Sequence, residues 1–321
     1  MRRARAPTLT PAHPLNPAPL QDKRAVLEQR ARLHDAIRRF FRERDFLEVT
    51  TPILLPANAP EEHIDAIPAA NGWLRTSPEL AMKRLLAAGH PRIFQLGPCF
   101  RAGEQGRWHH PEFTMLEWYR AHADYLDILA DTQALLATLA TELRGATRFT
   151  WQNRPLDCAP SAWQTLPVSQ AFLQHAGWDP ARNYDPDRFD LDLVNHVEPA
   201  LPPGHPVVLL DYPAPAAALA RRKPRDPLRA ERWELYLGGI ELANAYSELT
   251  DPAEQRTRFE QANAARLARR APPYSLDESF LAALPHLPPS GGIALGVDRL
   301  LMLLADAPTL AALLPFAAPD L

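Results

Sequence analysis

The chain has 321 residues, of which 46% are hydrophobic and 23% charged, with a formal net charge of −3, the balance of a globular protein with a sizeable core. Like charges form no block, so a broad electrostatic surface for nucleic acid is not advertised, and no run approaches the ~20 apolar residues of a membrane span. The two cysteines, Cys99 and Cys158, form no CxxC or metal-spaced pair, which argues against a disulfide framework or zinc site and for a reduced, cytoplasmic setting.

Residues 1–22, with prolines at 7, 11, 14, 17 and 19, are predicted as a flexible arm before a catalytic domain over 23–321. From Lys23 to Arg44, the residues Val26, Leu27, Leu33, Ile37, Phe40 and Phe41 recur at three- and four-residue steps, the pattern of an amphipathic helix. Phe46–Leu55 reads as a strand, and Pro52, which cannot donate to a ladder, places it at an edge, a bend or a subunit contact. Trp73–Glu79 leads into a helix from Leu80 to Ala88, stopped by Gly89. Ile93–Phe100 and Phe113–Tyr119 have the composition of strands and flank a hairpin loop around Gly103–Gly106. Residues 124–143 read as helix. Residues 145–206 hold helical pieces near 168–176 and 187–198 but no catalytic cluster, and are predicted as an insertion in the main domain. Val207–Pro213 reads as a buried strand, Arg221–Pro227 as a loop, and Trp233–Leu249 as two strands joined at Gly238-Gly239. A polar helix over 251–270, a strand from Gly291 and an apolar helix from Leu300 to Ala305 complete an α+β pattern, a mainly antiparallel sheet flanked by helices.

Four segments carry chemistry. Phe100–Phe113 gathers Arg101, Arg107, His109, His110, Glu104 and Glu112 with Trp108, a set suited to anchoring a polyphosphate and stacking a purine. Glu234, Glu241 and Glu248 fall at steps of seven among apolar neighbours; within one strand that step reverses the face, but across a two-residue turn the three can converge. Buried carboxylates need a metal or a cation, which points to a magnesium-bound nucleotide beside an ammonium-bearing substrate; glutamates on an exposed strand paired with arginines are the alternative. Gly291–Arg299 offers glycines where a side chain would block a ligand, then an arginine at a helix start, where phosphate is favoured. It is neither a Walker loop nor a dinucleotide fingerprint. Ser77-Pro78-Glu79 reads as a helix cap whose carboxylate remains free to hold an amine.

As a set, these segments resemble the three signature motifs of class II aminoacyl-tRNA synthetases, most closely the lysyl branch, over residues 23–310. The Lys23–Arg44 helix with the Pro52 strand resembles motif 1, Phe100–Phe113 motif 2 and Gly296–Arg299 motif 3. Ser77–Glu79, Asp211–Pro213 with Leu219–Arg221, and Glu241–Leu249 are similar to lysine-pocket segments. Only about 22 residues precede motif 1, where lysyl-tRNA synthetases carry an anticodon-binding domain. In this and in His109–Arg120 and Ala294–Arg299 the chain resembles the short elongation factor P–(R)-β-lysine ligase family, with Ala294 where true lysyl-tRNA synthetases have glycine. The resemblance implies an ATP-dependent ligase that activates (R)-β-lysine as its adenylate and joins it to a lysine of elongation factor P. It implies ATP and Mg2+, no membrane, no expected tRNA binding and a homodimer. Arg101 would hold the α-phosphate, Arg299 the γ-phosphate and Phe113 the adenine, with Gly103, Glu104, His110, Leu242 and Gly296 as further nucleotide contacts. Glu234 and Glu241 would hold magnesium; Ser77, Pro78 and Glu79 would hold the substrate's amino group; Tyr119 and Glu248 would take its side-chain ammonium, and Ala294 would shape the pocket. Two departures stand out: Arg101-Ala-Gly103-Glu104 where many relatives have Arg-Asn-Glu, and His110 in place of asparagine. An α-lysine ligase acting on tRNA or a small molecule, and an inactive regulatory paralogue, are the alternatives; the retained arginines and acids oppose the second.

Overall fold

Phe41 decides where the first helix lies. Helix α1 (Arg24–Arg42) buries Leu33, Ala36, Ile37, Phe40 and Phe41, the face that its apolar spacing predicts. The Phe41 ring stacks on Phe94 at 4.7 Å and tilts against Trp118 at 5.1 Å, docking the helix on two neighbouring strands. This computed structural model describes residues 23–217 and 219–316, so the predicted arm at 1–22 lies outside the described residues.

The strand expected over Phe46–Leu55 is instead two short ones, β1 (Leu47–Glu48) and β2 (Leu54–Leu55). Between them the backbone leaves the ladder: Thr51 donates its N–H to the Gln95 side chain at 3.0 Å and its carbonyl accepts from buried Arg75. Pro52 has no N–H to keep the strand going. β2 joins β3 (Pro68–Ala69) and β4 (Gly72–Leu74) in a small separate sheet. Helix α2 (Glu79–Ala87) follows, then the long hairpin β5 (Arg92–Phe100) and β6 (Glu112–Ala121), and α3 (Tyr125–Arg144), started by an Asp124–Asp127 capping box.

The segment expected as an insertion holds a hairpin, β7 (Arg148–Trp151) with β8 (Arg154–Asp157), then β9 (Gln164–Pro167), α4 (Val168–His175) and α5 (Pro186–Asp192). Its β9 pairs in parallel with β10 (Val207–Leu210), so the segment supplies an edge of the main sheet. The stretch 221–227, expected as a loop, forms the hairpin of β11 (Arg222–Lys223) and β12 (Asp226–Ala230). Lys223 reaches the Asp211 carboxylate at 2.6 Å and Arg229 pairs with Asp226, side-chain ties that a reading of its prolines as breakers does not register.

β13 (Arg232–Leu237) and β14 (Ile240–Ser247) meet at Gly238-Gly239, whose φ of 68° and 79° are the left-handed pair a two-residue hairpin demands. After α6 (Pro252–Ala268) and α7 (Glu278–Ala283) come β15 (Ser290–Gly296), α8 (Val297–Leu304) and α9 (Leu310–Leu313). The eight-stranded sheet runs β1-β5-β6-β15-β14-β13-β10-β9, parallel at β1/β5 and β10/β9 and antiparallel elsewhere. Helices α1, α3 and α8 cover one face with the main core, which takes Leu116 and Trp118 of β6. Strand alternation therefore sends Met115, Glu117 and Tyr119 to the opposite face. Among the described residues, no helix is long and apolar enough to cross a membrane.

Candidate active site

That opposite face floors a cavity of about 380 Å³. Of the residues picked from the sequence, Ser77, Glu79, Arg101, Glu104, His110, Phe113, Tyr119, Glu234, Glu241, Leu242, Ala294, Gly296 and Arg299 line it. Pro78, Gly103 and Glu248 do not: Pro78 precedes α2, Gly103 turns the loop with φ 76°, and Glu248 lies beneath the wall, 1% exposed.

A bulge brings the acids together. Tyr236 pairs with Glu241 and Leu235 with Ala243, so Leu242 is an extra residue in β14. An extra residue resets the side-chain alternation. Glu241 therefore shares the cavity face with Asn244 and Tyr246, and β13 presents Glu234 and Arg232 to the same space.

At one end stand the arginines. The Arg101 guanidinium lies 5.1 Å from the Phe113 ring centroid and 3.5 Å from Glu104, and its buried Nε has no partner in the protein. Arg299 donates to the carbonyls of Trp108 (3.2 Å) and Glu241 (2.9 Å) and to Nε2 of His109 (2.7 Å), stitching the motif 2-like loop to β14. Burial, then the Arg299 charge, lowers the His109 pKa, so a neutral ring accepts that N–H. Nδ1 of His110 sits 2.7 Å from the Glu112 carbonyl. Asp298, in the first turn of α8, accepts from the Thr114 N–H at 2.6 Å and pairs with Arg30 at 2.5 Å, fixing α8, β6 and α1 together.

Glu234 is firmly held: Tyr212 and Tyr236 donate to one oxygen at 2.5 and 2.8 Å, and Arg232 to the other at 2.7 Å. Glu241 has the Arg299 guanidinium at 3.4 Å, and burial together with the Glu234 charge pushes its carboxyl up to about 7. A divalent cation between the two would relieve that repulsion. Among the described residues there is no cluster of three or more metal-ligating side chains. Two carboxylates, completed by phosphates and water, fit Mg2+ rather than an all-protein cage.

At the other end is a nest of acids and phenols around Gly292. A Cβ there would lie 2.3 Å from the Glu248 Oε1 and 2.3 Å from the Tyr119 ring, so glycine is what lets the two converge. The Tyr119 hydroxyl donates to Glu117 at 2.9 Å, leaving the other Glu117 oxygen buried and unpartnered. Burial, reinforced by the Glu79 charge, pushes Glu117 up to about 8, and burial likewise pushes Glu248 up to about 8 against the pull of Lys83. Glu79 and Glu248, expected to face the substrate's ammonium groups, already share an internal one. Lys83, one turn along α2, pairs with Glu79 at 2.5 Å and with Glu248. Burial disfavours its charge, yet the two carboxylates raise its pKa on balance. Tyr246 donates to Glu79 at 2.6 Å.

Sequence reasoning passed over Glu61, Lys83, Glu117, Arg232 and Tyr246, and named His109 only as one of the motif 2-like cluster. Glu117 was within reach, two residues before Tyr119 on one strand, and Lys83 follows Glu79 by the four residues of a helix turn. Glu61, in a segment without regular structure, gave no signal.

Residues 20–319 match the family model of tRNA synthetases class II (D, K and N). The chain is 39% identical to the elongation factor P–(R)-β-lysine ligase of Hamiltonella defensa, covering 90% of this chain and 94% of that one. It is also 39% identical to the Edwardsiella ictaluri protein of that name and 40% to the Pectobacterium carotovorum one, each over 91% of this chain and 95% of the relative.

Proposed function

Because the chain belongs to the class II tRNA synthetases of the D, K and N type, we propose that it is an ATP-dependent ligase that activates (R)-β-lysine as the adenylate and transfers it to a lysine side chain of elongation factor P, the reaction its relatives' names describe. The observation that carries this reading is the division of one cavity into a cationic end and an acidic end. Arg101 and Arg299 suit a triphosphate, and Glu117, with Tyr119, Glu79 and the underlying Glu248, suits a small molecule bearing two ammonium groups.

In the first step the amino-acid carboxylate attacks the α-phosphorus of ATP, a P–O bond breaks and pyrophosphate leaves. Arg101, with unused N–H donors beside Phe113, stabilises the charge that develops on the phosphoryl oxygens. Phe113 gives adenine a face to stack on, and Arg299, preset by His109, Trp108 and Glu241, meets the terminal phosphate. Glu241 and Glu234 would hold Mg2+, which when bound neutralises phosphate charge and orients the pyrophosphate leaving group. Glu117 presents an unpartnered oxygen to the substrate's side-chain ammonium while Tyr119 fixes its other oxygen. In the second step an acceptor amine attacks the acyl carbon and AMP departs, leaving an amide. The reading includes a cytoplasmic homodimer: Leu47, Ile53 and Leu54, in the stretch that follows α1 along the chain, are exposed, apolar surface that a second copy would cover.

Pyrophosphate exchange into ATP, measured with (R)-β-lysine and with α-lysine, tests the activation half. Exchange favouring the β-isomer supports the reading; preference for α-lysine together with charging of tRNA would replace it by the tRNA-ligase alternative.

A further inference from the structure

One unpartnered cavity carboxyl has no part in the mechanism above. Glu61 lies in the strap between β2 and β3, lines the cavity, and its carboxyl makes no hydrogen bond or ion pair among the described residues. The strap that carries it is fixed. Arg266 of α6, whose side chain is 0% exposed, donates to the carbonyls of Glu61 (2.9 Å), Ile64 (2.8 Å) and Pro272 (2.9 Å) and to the Asp65 carboxylate (2.9 Å). Tyr274 accepts from the Ala66 N–H at 2.7 Å, and the Asp65 carbonyl accepts from the Ala102 N–H at 2.7 Å. That last bond ties the strap to the turn that carries Arg101.

The charged and titratable groups facing Glu61 are Arg101 after β5, Glu79 and Lys83 of α2, Arg232 of β13 and Tyr246 of β14. They come from both ends of the cavity. Glu61 therefore stands near the junction of nucleotide and amino acid, where the acyl carbon of an adenylate lies. The other cavity acids are engaged through at least one oxygen: Glu79 by Lys83 and Tyr246, Glu117 by Tyr119, Glu104 by Arg101, Glu241 by Arg299, Asp298 by Arg30 and the Thr114 N–H, and Glu234 by Arg232 and two tyrosines.

We propose that Glu61 is the general base of the transfer step, taking the proton from the acceptor lysine's ε-ammonium as it enters the cavity. The assignment rests on the ligase reading above. An ammonium has no lone pair, so the acceptor must lose one proton before it can attack. Glu61 takes that proton; the freed lone pair forms the C–N bond; the acyl C–O bond breaks and its electron pair leaves with AMP. The nitrogen's second proton passes to solvent, and the product is a neutral amide with no change of oxidation state. Burial pushes the Glu61 carboxyl up to about 7, with Arg101 pulling the other way. Near neutral pH it is therefore divided between its two forms, the condition under which a general base works best.

The test separates the two half-reactions. Enzyme loaded with Mg2+, ATP and (R)-β-lysine is mixed with elongation factor P and transfer is followed by rapid quench across pH; pyrophosphate exchange is measured alongside. In E61Q, transfer should fall by about 100-fold more than exchange, in line with a lost general base. The wild-type transfer rate should level off above about pH 7, whereas the E61Q rate should keep climbing with the acceptor amine's own deprotonation, and E61D should restore the plateau. Equal losses in both half-reactions, or an unchanged transfer rate in E61Q, would overturn the proposal and leave the ligase reading standing. Absence of both exchange and transfer in the wild type would overturn the two together.

Discussion

Gly292→Ala should cripple amino-acid binding while sparing ATP. A methyl group at this position would stand 2.3 Å from the Glu248 Oε1 and from the Tyr119 ring, against an ordinary contact of 3.4–4 Å, so one or both must move by more than 1 Å. Neither can move freely. Glu248 is ion-paired with fully buried Lys83, and Tyr119 is hydrogen-bonded to Glu117 at 2.9 Å in a wall where it is 2% exposed. Overpacking of this kind costs about 1–3 kcal/mol of stability. Displacing a buried, hydrogen-bonded carboxylate from the ammonium it serves costs about 2–5 kcal/mol of binding. The lower figure alone is about a 30-fold rise in the KM for (R)-β-lysine. Pyrophosphate exchange with amino acid and ATP varied separately reads this directly: the KM for the amino acid rises while that for ATP stays within about twofold, since Arg101 and Arg299 lie at the cavity's other end. A G292A enzyme with wild-type KM for (R)-β-lysine would refute the idea that the acids around this glycine form the ammonium pocket.

Three further outcomes follow from the same geometry. Glu117 is pushed from 4.5 up to about 8 and serves an ammonium only when ionised, so the amino-acid KM should fall as pH rises toward 8 and binding at pH 7 should release a proton; calorimetry in buffers of different ionisation enthalpy measures the release, and E117Q should abolish it. Because that folded-state pKa is raised, the unliganded fold loses stability as pH climbs from about 4.5 to about 8, a loss that thermal melts should show and E117Q should flatten. R101A should lower adenylate formation by about 10²–10³-fold, as removal of a charge-stabilising donor does, with the amino-acid dissociation constant little changed by equilibrium dialysis. K83M leaves Glu79 and Glu248 without their internal cation, and breaking a buried pair in this way destabilises by about 3–5 kcal/mol, so its melting temperature should drop sharply.

The sequence carried more of this site than of the chain path around it. Apolar spacing located α1 and α3 because each buries one face against a common core, and the burial follows the period. The β5–β6 hairpin is marked instead by strand composition around a glycine-bearing loop, since its strands are covered on both faces. Gly238-Gly239 located the β13–β14 turn because its backbone angles demand glycine. What alternation could not supply was the β14 bulge at Leu242. One extra residue changes the face of everything beyond it, and that change makes Glu241 a neighbour of Glu234 and of Tyr246. The break at Thr51-Pro52 and the β11–β12 hairpin depend on partners far along the chain, Gln95 and Arg75 for the first and Asp211 for the second. The Glu61 strap has no periodicity, and only its hold on Arg266, some 200 residues away, brings its carboxyl to the cavity.

Everything turns on whether phosphate-binding cations and ammonium-binding acids at opposite ends of one pocket add up to acyl transfer onto a protein amine. Mass spectrometry of elongation factor P incubated with this enzyme, Mg2+-ATP and each lysine isomer in turn answers that directly. The predicted result is a single amide-linked addition on one lysine, with (R)-β-lysine far ahead of α-lysine, and its loss in R101A. No added mass with any isomer, or an addition that R101A makes as well as the wild type, would contradict it.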